Sequence, residues 1–118
     1  MKKYNLFKKD GENKENSEPT RIEALFEASF HLIEACAALH RIHINKHQML
    51  RQELEKNKDI FSEKTEAVWS KFQELENQIR PGQIYGGKIN GEQLKRAEEI
   101  FNKIEEVCNS VLRKANKA

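Results

Sequence analysis

Apolar residues recur every three or four positions from residue 22 onward, and this period marks helices rather than strands. Thr20 followed three residues later by Glu23 reads as a capping box, so a long helix is predicted to begin there. Its stripe runs through Ile22, Leu25, Phe26, Ser29, Phe30, Leu32, Ile33, Cys36, Ala37 and Leu39. Ala28, Ala35, Ala37 and Ala38 lie among these, and small residues let a second helix approach closely on more than one face. The pattern weakens over 42–45. Asn45 then reads as the cap of a shorter helix carrying Met49, Leu50 and Leu54, ended by the polar run 56–59. Ser62, with Thr65 behind it, reads as the next cap. Val68, Phe72, Leu75 and Ile79 step by four, three and four in a third long helix, which Pro81-Gly82 must stop. Residues 80–90 hold one Pro and three Gly and read as a loop. Asn90 is placed to cap the last helix, whose stripe is Leu94, Ala97, Phe101, Ile104, Cys108, Val111 and Ala115, widened by Ile100, Val107 and Leu112.

Residues 1–18 carry five Lys and four acidic groups, with Tyr4, Leu6 and Phe7 as the large apolar side chains after Met1. They read as a flexible N-terminal tail, with that trio as a possible anchor. The fold predicted is all-α: an antiparallel four-helix bundle formed by a single domain over 19–118. The three-four stepping of the last helix suits bundle core. The first stripe is wider than one contact face, which suits a homodimer.

Composition narrows the function. The 118 residues carry 21 Lys plus Arg against 19 Asp plus Glu, and beyond residue 18 the balance is 16 to 15. Coating of nucleic acid by bulk charge is excluded on that balance, so a nucleotide or RNA site has to be local. Cys36 and Cys108 lie 72 residues apart in apolar surroundings and read as two buried thiols of a reduced, cytoplasmic protein. No apolar run approaches the roughly 18 to 20 residues that cross a bilayer, and no membrane partner is expected.

Candidate chemistry is sparse. His40, His43 and His47 are spaced by three and four, but Asn45 interrupts them and no carboxylate or Cys completes a ligand set, so they read as a polar corner and no metal is expected. Arg80 stands at a helix end before the Pro-Gly turn, where its guanidinium could grip a phosphate, with Tyr85 able to stack. Taken alone, the residues favour an arginine that offsets its own helix C-terminus. The cysteines have no adjacent base. The carboxylates read as decoration of solvated faces, none in an apolar stripe.

In order along the chain, FEASFHLIEACAAL, HRIHINKHQMLRQEL, LENQIRPGQIYGG and GEQLKRAEEIFNKIEEV together resemble the HEPN superfamily, the higher eukaryote and prokaryote nucleotide-binding domain, over residues 21–112. The resemblance implies a helical bundle, often homodimeric, commonly partnered with a minimal nucleotidyltransferase. It also implies that some members are metal-independent ribonuclease toxins using an Arg followed four to six residues later by a His near the end of the third helix. Arg80 matches that arginine, but 81–87 contain no His, and Tyr85 stands where one would be. A phenol, with an ordinary pKa of about 10, is a poor base at neutral pH. The central helix also has Ala24, Phe26 and Glu27 where non-catalytic relatives often carry an Arg and a Tyr. Arg41 and His47 have a ribonuclease-like spacing but lie in the wrong connection, and His47 matches the histidine before the second helix of many relatives. The reading is a non-catalytic HEPN-like domain without a cofactor. It binds a nucleotide, RNA or a nucleotidyltransferase through Arg80, Tyr85, His47 and Arg41, as an accessory or antitoxin-type subunit. The alternatives are a ribonuclease toxin and a helical protein-protein interaction module.

Overall fold

Five α-helices and no strand are found among the described residues, which in this computed structural model are 1–79 and 91–116 apart from the Gln78 side chain. They are α1 (Lys2–Glu12), α2 (Glu18–Ala38), α3 (Leu50–Lys56), α4 (Thr65–Glu74) and α5 (Glu92–Asn116). Single 3₁₀ turns at His47–Met49 and Ser62–Lys64 lead into α3 and α4, and a wider π turn, Leu75–Ile79, continues α4.

The long helix begins three residues before the expected Thr20. Ser17 is its cap, accepting the Thr20 N–H at 3.3 Å, and Pro19 sits in the first turn, where its missing N–H costs nothing. At the other end Arg41 takes the left-handed conformation, φ 59°. The N–H of Ile42 reaches Ala37 O at 3.1 Å and that of Arg41 reaches Ala38 O at 3.0 Å, the paired bonds that close a helix on a left-handed residue. Asn45 caps nothing: Lys46 precedes the turn into α3, without a side-chain cap bond. Ser62 does not cap α4 either. It is left-handed, φ 51°, and its carbonyl accepts the Thr65 hydroxyl at 2.7 Å.

The expected tail over 1–18 is corrected by α1. Tyr4, Phe7 and Gly11 fall on one helical face and lie against the bundle, while Leu6 points away and is 61% exposed. A Cβ on Gly11 would lie 2.7 Å from Leu25 Cδ2, so the absence of a side chain is what lets α1 close on α2.

Val68, Phe72, Leu75 and Ile79 are all buried, as their stepping predicts, together with Leu94, Ala97, Phe101, Ile104 and Cys108. The connections contribute core as well: Ile44, Ile60 and Phe61 are buried between helices. Arg21 faces Glu98 and Cys36 faces Cys108, so α2 and α5 run in the same direction and share the centre. Glu74 meets Arg96, while Phe61 and Val107 line one groove, so α4 runs against α5. α1 runs against both: its start reaches Glu105 and its end reaches Arg21. Cys36 and Cys108 are free and buried, and the Cys36 thiol donates to Cys108 O at 3.6 Å. The neighbouring Cys36 side chain and burial push the Cys108 thiol well above its ordinary value.

Candidate functional site

His47 is delivered by the turn that opens α3 and lies on an aromatic floor. The edge of Phe26 meets its ring at 5.2 Å and 84°, Phe30 at 6.3 Å and 86°, and Phe26 stacks on Phe72 at 5.0 Å. Its Nδ1 is hydrogen-bonded to Glu76 Oε2 from the π turn. An ionised carboxylate only accepts, so opposite one Nδ1 is the donor, and Nε2 is the nitrogen left for a ligand. The His47 side chain is 31% exposed and that of Glu76 12%.

Glu76 is a residue that the sequence reading missed. It stands four residues after Phe72 and seven after Trp69, on the same side of α4, and π turns re-aim side chains in this way. The rule that no carboxylate enters an apolar stripe fails here and at Glu105, which sits beside Phe101 and Ile104 with its side chain 19% exposed. The signal was available in the spacing from Phe72.

The end of α4 is fixed from two sides. Two residues before Glu76, Glu74 receives Arg96 Nε at 2.6 Å and Nη2 at 2.8 Å, a bidentate grip that holds the Glu74 carboxyl below its ordinary range. One turn past His47, the Arg51 guanidinium lies 4.0 Å from the Trp69 ring centre. The pairs His47–Glu76 and Arg51–Trp69 therefore also fasten α3 along α4.

Arg41 and His47 are not brought together. Arg41 is exposed in the turn after α2, and no hydrogen bond or ion pair joins it to His47. Arg80 and Tyr85 lie outside the described residues. His40 and His43 are exposed, and no group of three or more His, Cys, Asp or Glu able to hold a metal ion occurs among the described residues. His31 belongs to a different contact: it pairs with Glu34 at 3.0 Å and Phe7 of α1 stacks on it at 5.6 Å. Among the described residues no helix is long and apolar enough to cross a membrane.

A carboxylate-held imidazole at a helix end has two uses. It can accept a proton from a hydroxyl, or, when protonated, donate a hydrogen bond to a phosphate oxygen. No family model, no curated protein and no solved structure matches this chain.

Proposed function

We propose that this chain is a HEPN-like, non-catalytic helical domain that binds a nucleotide or RNA at the end of α4, as the accessory or antitoxin-type subunit of a homodimer or of a nucleotidyltransferase pair. The observation that carries the reading is the pairing of His47 with Glu76 where the resemblance puts a site, with Arg80 four residues further along the chain. When protonated, His47 offers its Nε2–H to a phosphate, and the Arg80 guanidinium would offer a fork. The absence of a His over 81–87 is what argues against cleavage.

Isothermal titration with ATP, GTP and a short RNA, repeated on His47→Ala and Arg80→Ala, tests it. Binding by the wild type and a loss of about tenfold or more in each variant is the expected result, since a charge-assisted hydrogen bond contributes about 1.5–3 kcal/mol. No binding of any of the three would sink it. Light scattering decides the homodimer: a mass of one chain removes that part of the reading.

One observation favours a second reading, a ribonuclease in which His47, oriented by Glu76, takes the proton of a ribose 2′-hydroxyl. Cleavage of a labelled RNA, abolished in His47→Ala and slowed in Glu76→Gln, separates it from the first.

A further inference from the structure

Acidic residues number 19 in 118 positions, yet 35–52 holds none across 18 consecutive residues, the longest such stretch in the chain. It carries instead His40, Arg41, His43, Lys46, His47 and Arg51. The fold turns that composition into a surface. Between the turn that ends α2 and the turn that opens α3 the chain is non-helical over 42–45. Ile44 is fully buried and Ile42 packs partly against the core, while His43 and Asn45 are exposed. Arg41 and Lys46, at the two ends, are exposed as well.

None of Arg41, His43 and Lys46 has an acidic partner among the described residues, whereas Arg51 has Glu55 at 3.6 Å. Glu55 and Asp59 line a hollow with His40 and Ile42, together with Lys56 and Lys58. Guanidinium, imidazole, carboxamide and ammonium groups all donate hydrogen bonds. Exposed donors without an ion-pair partner among the described residues, on the segment that runs into His47, suit phosphates.

We propose that Arg41, His43 and Lys46 bind the phosphate backbone of a single-stranded nucleic acid, one nucleotide of which occupies the His47 site, so that the ligand is an oligonucleotide and not a mononucleotide. The proposal rests on the nucleotide-binding reading of His47. The strip positions the strand and reads no sequence, because its partners are phosphates.

The test is fluorescence anisotropy of a labelled 12-nucleotide oligouridylate between 50 and 200 mM salt, with calorimetry of AMP binding alongside, on the wild type and on Arg41→Gly/Lys46→Ala. Glycine is chosen because it keeps the left-handed turn that Arg41 occupies. The wild type is expected to bind the 12-mer more tightly than AMP. In the double variant the slope of log K against log salt is expected to flatten by about 1.4, roughly 0.7 for each lost phosphate contact, with a smaller loss for AMP than for the 12-mer. An unchanged slope overturns the proposal, and so does equal binding of an oligoglutamate of the same charge. Wild-type protein that binds AMP but not the 12-mer overturns the strip and leaves the His47 reading standing; protein that binds neither overturns both.

Discussion

Two single positions carry backbone requirements of opposite sign. Arg41 closes α2 in the left-handed region, where a Cβ costs about 1 kcal/mol and glycine costs nothing sterically. Arg41→Gly is therefore expected to raise stability by roughly 0.5–1 kcal/mol in urea denaturation. Its exposed guanidinium is one of the donors of the proposed strip. Gly11 is the reverse case. Gly→Ala inside a helix ordinarily gains about 1 kcal/mol, but a Cβ here would meet Leu25 at 2.7 and 2.9 Å, and Leu25 is 1% exposed and has nowhere to go. Gly11→Ala is expected to destabilise by about 1–3 kcal/mol, the cost of overpacking a filled core. A gain in melting temperature for Gly11→Ala would show that α1 is free to lift away.

At the scale of elements, the first half of α1 is held by a polar node at Glu105, and its end by Arg21. Glu105 accepts from the Tyr4 hydroxyl and pairs with Lys8 at 2.9 Å, and Tyr4 lies against Phe101 with ring centres 6.4 Å apart. Burial and the Glu105 carboxylate raise the Tyr4 phenol, and the same carboxylate raises the Lys8 ammonium. Both groups hold their proton more tightly when folded, so their contribution is complete below the ordinary values of 10.0 and 10.5 and is lost as the pH rises past them. Amide exchange in 2–12 should accelerate selectively above about pH 10, beyond the intrinsic base catalysis seen in an unfolded peptide. Glu105→Gln should loosen the same segment at neutral pH by about 1.5–3 kcal/mol, read as protease cleavage within α1. This helix was illegible to the periodicity argument for a physical reason. Lys2, Lys3, Lys8 and Lys9 dominate its composition, and its docking face amounts to Tyr4, half of Phe7 and a glycine, which carries no hydropathy signal at all. The stripe of α4 was legible residue by residue, because Val68, Phe72, Leu75 and Ile79 each repeat at helical spacing and each is buried. The cap at Ser17 was masked by a competing box at Thr20 and Glu23. Ile44, Ile60 and Phe61 lie in connections, where no period exists to announce them.

For the molecule as a whole, its near-neutral charge conceals segregation. Acids are absent over 35–52 and again, in sequence, over 77–91, and the first of these stretches holds the histidine that meets Glu76. The candidate site was legible only in part: the sequence offered His47 and the arginines, while the pairing of His47 with the Glu76 carboxylate comes from the fold. The pairing of α2 with α5 has a further consequence, for the order in which the chain can become a protein. α1 and α2 are neighbours in sequence and close a short loop, whereas Cys36 reaches its partner only 72 residues later, near the end of the last helix. Contacts of such separation form late, since the loop must close before they repay its entropy. During synthesis the part of α2 that meets α5, Cys36 included, stays uncovered until the segment through Cys108 has left the ribosome. A chain ended at residue 99 should therefore remain an α1–α2 hairpin in search of a core: dye-binding, protease-sensitive and aggregation-prone, where one ended at residue 112 should fold.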